Sequence, residues 1–108
     1  MAVVRQGIPI VVPALARIEV SCALARLLCD EVSACEITEQ LFSPPIREVP
    51  IDSAVAVEAI RIGTVARLRG ADASYAAVAA LEEAMLVSLD RELIERAGGI
   101  TPSQWLAR

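Results

Sequence analysis

The stretch Leu68–Asp90, LRGADASYAAVAALEEAMLVSLD, constrains the fold more than any other part of the chain. It reads as loop, helix, turn, strand and terminal carboxylate. Gly70 is placed to end one helix in a left-handed conformation, which costs a residue without Cβ nothing. Asp72 then stands at the start of the next helix, predicted to run to about Glu83. Its alanines, Ala73, Ala76, Ala77, Ala79 and Ala80, let it approach a sheet closely. Met85–Leu89 is an apolar run too brief for a helix and suited to a buried parallel strand. Asp90 falls where that strand ends. In open α/β sheets ligands gather outside the carboxyl ends of the strands. Asp72 and Asp90 are therefore expected to face one crevice.

At 108 residues the chain makes one domain with a modest core. A hydrophobic fraction of 56% against 22% charged residues is that of a globular chain. Only Phe42, Tyr75 and Trp105 are aromatic, so the expected core is aliphatic. The net charge of −4 argues against a simple electrostatic nucleic-acid binder. All ten basic residues are Arg, the side chain suited to bidentate phosphate recognition, although a GC-rich genome favours Arg codons for other reasons. There is no His, which excludes a His-activated Ser or Cys nucleophile, and the ligands for a zinc site are missing. Cys22, Cys29 and Cys35 lack metal or disulfide spacing and are expected to be reduced core thiols in a cytoplasmic protein. The apolar run Ile8–Ala16 after Arg5 loosely imitates a signal peptide, but Pro9 and Pro13 interrupt it. No run reaches transmembrane length.

Taken in order, Met1–Gln6 is expected to be a frayed helix end and Gly7 a turn. Ile8–Val12 reads as a buried strand stopped by Pro13, which also suits the first turn of a helix. Ala14–Cys29 is predicted helical, with Leu15, Ile18, Cys22, Ala25 and Cys29 facing inward. A second helical segment, Asp30–Phe42, is expected to bury Val32, Cys35 and Leu41. Ser43-Pro44-Pro45 is a break, and Ile46–Ile51 reads as a second strand. Asp52 or Ser53 caps a helix to about Arg69, buried along Val55, Ala59, Ile62 and Ala66. After Asp90 come a short helix, Arg91–Ala97, a stop at Gly98-Gly99, an edge strand at Ile100-Thr101 and a helical turn, Pro102–Leu106, anchored by Trp105. Alternating strands and helices imply an α/β fold: a parallel sheet flanked by helices in three layers.

Glu19 is the third acid of interest. Leu15, Ala16, Cys22 and Ala23 share its helix face, and a carboxylate among apolar neighbours is costly to desolvate without a partner. Its helix starts at the carboxyl end of the first strand, beside the crevice expected for Asp72 and Asp90. Each acid has a simpler reading: Asp72 and Asp90 both suit helix N-caps, and Glu19 suits a helix edge reaching water. Three carboxylates without His make a hard-oxygen site, which selects Mg²⁺ or Mn²⁺ over zinc or copper. An ion held this way orients water and stabilises charge on a phosphoryl oxygen, so phosphodiester hydrolysis is the natural chemistry. Arg67, Arg69 and Arg91 flank the acids and are candidates to hold substrate phosphates, or are solvated helix ends. There is no nucleotide-binding glycine loop.

Three passages resemble the PIN-domain ribonucleases, especially the VapC-type toxins of bacterial toxin–antitoxin pairs. VPALARIEVSCALAR (Val12–Arg26) resembles the family's strand-to-helix passage with Glu19 at its acidic position. LRGADASYAAVAA (Leu68–Ala80) resembles its most recognisable segment, with Asp72 at the acid. LVSLD (Leu86–Asp90) resembles its late strand with Asp90 at the last acidic position. The resemblance implies a three-layer PIN-like fold and a Mg²⁺- or Mn²⁺-dependent endoribonuclease, with Glu19, Asp72 and Asp90 as catalytic and metal-holding residues. It also implies an RNA substrate, a cognate antitoxin that blocks the site, homodimers and no membrane. The family opens with a strand bearing a further aspartate, and no aspartate precedes Asp30 here. Residues 1–108 are thus expected to form a single PIN-like domain, truncated at its N-terminus, that is an active or an inactive form of the enzyme.

Two other functions compete. One is a non-catalytic, oligomerising interaction module with the same fold, in which the acids are caps. The other is a response-regulator-like doubly wound domain, which wants a Lys near its acids, and this chain has none.

Overall fold

The computed structural model describes residues 9–108. The helix end expected over Met1–Gln6, the turn at Gly7 and the first residue of the first strand, Ile8, lie outside the described residues. Strand β1 (Ile10–Pro13) runs into helix α1 (Leu15–Leu28), followed by α2 (Glu31–Leu41), β2 (Ile46–Val49), α3 (Ser53–Ala66), α4 (Gly70–Leu81), α5 (Arg91–Ala97) and α6 (Pro102–Leu106). The fold is mixed α/β with a small parallel sheet, as the alternating pattern requires.

β1 and β2 pair in parallel, Ile10 opposite Ile46 and Pro13 opposite Val49. Ala14 N–H donates to Val49 O at 2.8 Å and carries the pairing to the helix start. Pro13 has no N–H to offer, and its fully buried ring closes the strand. α4 lies on β1 and packs along α3. Its alanines explain the closeness of that contact: Ala73, Ala76, Ala77 and Val78 are all buried. At Gly63 of α3 an added Cβ would come within 2.8 Å of the Ala73 Cβ, so this crossing requires glycine. Val55, Ala77 and Val78 form the buried centre, with Val11, Val49 and Ala59 against it.

α1 and α2 form the second helix pair. Arg17 ties it to the sheet: its guanidinium grips both carboxylate oxygens of Glu48 on β2 at 2.9 Å, reaches Glu39 of α2 at 2.7 Å and lies over the Phe42 ring. Helix starts are set by local chemistry. Asp30 accepts from Val32 N–H and Ser33 N–H, Asp52 from Val55 N–H, and Thr101 and Gln104 form a reciprocal capping box.

The structure corrects several expectations. Arg67, not Gly70, takes the left-handed conformation (φ 58°), because α3 stops at Ala66. A non-glycine residue pays about 1–2 kcal/mol there, offset by the Arg67 and Leu68 N–H groups both returning to Gly63 O. Gly70 instead begins α4.

Met85–Leu89 is not a buried strand. It makes a single parallel bridge, Val87 to Ile100, held by Ile100 N–H to Leu86 O and Ser88 N–H to Ile100 O. The run is short, it follows a positive-φ residue at Glu83, and Leu89 is 84% exposed. Ile100 accordingly makes a bridge rather than an edge strand with Thr101, which caps α6.

The inward faces expected of α1 and α2 are also largely overturned, Leu15 and Ala25 alone among those residues being partly buried. Ala16, Ala34 and Thr38 are buried, while Ile18, Val32, Leu41, Cys22, Cys29 and Cys35 are exposed. The seam between these helices is built from small and hydroxyl residues, with Ser21 Oγ 3.3 Å from Thr38 Oγ1. Ser21 and Thr38 each bond their own helix carbonyl four residues back, so their polar groups are satisfied at close approach. The bulky side chains then have no room in the seam and turn outward. The thiols are therefore free and exposed rather than core residues.

Candidate metal centre

Asp72 occupies the first turn of α4, but Arg69 is the N-cap and no side chain caps this helix. The N-cap reading of Asp72 therefore fails, and its carboxylate is left free. Asp90 does cap α5: Oδ1 accepts from Glu92 N–H at 2.8 Å and Leu93 N–H at 3.2 Å. Its own N–H donates to Ser88 Oγ at 2.9 Å, which fixes the turn that delivers it. Capping engages one carboxylate oxygen and leaves the other for a second role.

The structure brings Asp72 and Asp90 together and adds Glu92, one oxygen of each lying within 4.8 Å of the others. Like charges this close to a partly buried carboxyl raise its proton affinity. The Asp72 carboxyl accordingly titrates above its ordinary range, first through burial and then through Asp90, with Glu92 and Glu19 adding to the shift and Arg69 opposing it. Glu92 is steadied by Arg96 at 3.6 Å, and Arg96 also donates to Arg67 O at 3.1 Å, joining α5 to the end of α3.

Glu19 stands outside this trio. Its Oε1 accepts the Tyr75 hydroxyl at 2.8 Å, and Tyr75 lies one helical turn after Asp72 on α4. Burial and then the Glu19 carboxylate push the Tyr75 hydroxyl well above its usual range. Glu19 is exposed rather than enclosed by its apolar neighbours. Arg67, Arg69 and Arg91 are all exposed near the acids' helix ends, with Arg91 3.7 Å from Glu95.

Glu92 and Tyr75 were the residues that sequence reasoning missed. Glu92 carries a signal after the fact: two residues past a capping Asp, it falls in the same first helical turn. Tyr75 sits three residues after Asp72, on the same helix face.

The donor set answers the question of which ion fits. Three carboxylates, no His and no Cys suit a hard divalent cation such as Mg²⁺ or Mn²⁺, and the separation lets oxygens from separate residues meet on one ion. The arrangement is a mixed α/β domain in which acids at the starts of two helices, α4 and α5, converge. The family is shown by comparison: the PIN domain model matches residues 2–99, and the chain belongs to the PIN-domain family. No curated protein matches the chain. Among the described residues no helix is long and apolar enough to cross a membrane.

Proposed function

We propose that this chain is a Mg²⁺- or Mn²⁺-dependent endoribonuclease of the VapC toxin type. The observation that carries the reading is the meeting of Asp72, Asp90 and Glu92 in a chain of the PIN family. Asp72 and Asp90 hold the ion, Glu92 adds an oxygen, and Glu19 contributes from across the site. The bound ion supplies activation of water and stabilisation of charge on the phosphoryl oxygens. The ion takes the ionised form of Asp72, whose carboxyl titrates above its ordinary range, so affinity falls as pH drops through that range. Arg69, close enough to Asp72 to oppose that shift, and Arg67 and Arg91 bind the phosphates on either side of the scissile bond. The remaining parts of the reading are a cytoplasmic setting, a cognate antitoxin and a homo-oligomer.

The test is cleavage of a fluorescently labelled single-stranded RNA with Mn²⁺, with Mg²⁺ and with EDTA, using the parent and Asp90→Asn. Cleavage that needs the ion and disappears in the variant is expected. No cleavage together with no Mn²⁺ uptake refutes the assignment.

One observation favours a second reading, a non-catalytic interaction module with the same fold. Large apolar side chains lie exposed on α1, α2 and α3, among them Leu27 (78%), Val32 (61%) and Val65 (81%). Surfaces of this kind mark sites of protein association. A chain that self-associates yet neither binds Mn²⁺ nor cuts RNA fits that reading. Family membership sets aside the response-regulator-like alternative.

A further inference from the structure

The Glu19–Tyr75 hydrogen bond is unlike the other side-chain contacts of the acidic region. It joins residues 56 positions apart, at 2.8 Å, between α1 and α4. These helices belong to different packed pairs, α1 with α2 and α4 with α3. Among the described residues no cation pairs with Glu19. An exposed glutamate on a helix surface otherwise samples several rotamers, and ordering such a long side chain carries an entropic cost.

The tyrosine ring is rigid and half-buried on α4. Its position is set by the same helix that carries Asp72, one turn earlier. The charges of both Glu19 and Asp72 act on the Tyr75 hydroxyl, and Glu19 also acts on Asp72. A hydroxyl so placed can fix where the Glu19 carboxylate stands relative to the trio while leaving its second oxygen free.

We propose that Tyr75 is a positioning residue, which holds the Glu19 carboxylate toward the Asp72–Asp90–Glu92 cluster and so makes Glu19 part of the cation site. The inference rests on the metal reading given above. A hydrogen-bonding partner behind a ligand orients it and raises its affinity for the ion, and loss of such a partner typically costs 10- to 100-fold in metal affinity. Here the hydroxyl reaches an exposed carboxylate, so the low end applies, about tenfold.

The experiment is a Mn²⁺ titration, followed by the paramagnetic resonance of free Mn²⁺, on the parent, Tyr75→Phe, Glu19→Gln and the double variant. Tyr75→Phe removes one oxygen and keeps the ring. Weakening of about tenfold in Tyr75→Phe, with no further loss when it is added to Glu19→Gln, is expected. Equal weakening in both backgrounds refutes action through Glu19. Parent-like affinity in Tyr75→Phe, with weakened binding in Glu19→Gln, refutes the inference and leaves the metal reading intact. A parent that takes up no Mn²⁺ refutes both.

A second measurement needs no metal. The chain has one tyrosine, so its near-ultraviolet absorption band reports Tyr75 alone once the Trp105 background is subtracted. Glu19→Ala is expected to shift that band to shorter wavelength as the carboxylate partner is lost. An unmoved band means the bond is not made in solution, and the proposal falls.

Discussion

Replacing Asp72 by Asn should reverse the order of two melting curves. Without metal, Asp72 is a carboxylate crowded by Asp90 and Glu92, with oxygens within 4.8 Å. At that separation each like-charge pair costs about 1 kcal/mol in water-like surroundings, where exposed Asp90 places it. Two pairs give about 2 kcal/mol of repulsion. Against this, a negative charge in the first turn of α4 gains roughly 0.3–1 kcal/mol from the helix end, and Arg69 attracts it. No capping hydrogen bond is lost, because Asp72 makes none. The metal-free variant should therefore be more stable than the parent by about 1 kcal/mol, or about 4 °C for a domain of this size. With Mn²⁺ at about a hundred times its dissociation constant, the parent gains about 2.7 kcal/mol, and the variant gains little. Thermal melts by circular dichroism, with EDTA and with Mn²⁺, read both effects. The sign of the pH dependence follows from the raised Asp72 carboxyl. Its cost to the fold is fully present above the raised value, shrinks as pH falls through it, and is gone below the ordinary 3.8. The metal-free curves should converge toward pH 4. A variant that melts several degrees lower without metal would refute the reasoning, since Asp72 would then be a structural carboxylate.

Two further outcomes test the scaffold. Gly63→Ala places a methyl 2.8 Å from the Ala73 Cβ; the overpacking costs about 1–3 kcal/mol and outweighs the roughly 1 kcal/mol of helix propensity gained. Its melting point should fall and recover when Ala73→Gly is added, whereas a rise would mean that α3 and α4 do not cross this closely. The Glu48 carboxyl is held below its usual range by the Arg17 hydrogen bond. Its contribution to stability is present above the ordinary 4.5 and is lost as pH falls through the lowered folded value. Urea unfolding of Glu48→Gln should thus show a shallower decline in acid than the parent, and parallel curves would show that the Arg17 grip adds nothing in solution.

Helices were legible in the sequence wherever a capping side chain marked them. Asp30, Asp52 and Asp90 each begin a helix by accepting backbone N–H groups, and α5 and α6 have the bounds that their Asp, Gly and Pro signals imply. What periodicity misjudged was the face that α1 and α2 bury, whereas the stripe expected on α3 and Ala73, Ala76 and Ala77 of α4 do turn inward. Leu, Ile and Cys at helical spacing suggested an apolar seam between α1 and α2, but Ala16, Ala34, Ser21 and Thr38 let the helices approach more closely than bulky residues allow. Small residues carry a weak hydrophobic signal and a strong packing one, and only the second is visible in three dimensions.

The acidic site shows the same division between local and distant information. Asp72 was legible from the break at Gly70 that precedes its helix, and Asp90 from the end of an expected strand that in the structure is the turn leading into α5. Glu92 was within reach, since the cap that fixes Asp90 also fixes the first turn of α5 and with it the neighbouring carboxylate. Glu19 and Tyr75 depend instead on how α1 and α4 are carried around β1, 56 residues apart in the chain. No spacing rule encodes that distance. The local acids create a crowded cluster by themselves, and the distant tyrosine decides whether a fourth carboxylate joins it. Metal affinity should therefore respond to changes in the α1–α4 relationship, even where every residue of the Asp72–Asp90–Glu92 trio is untouched.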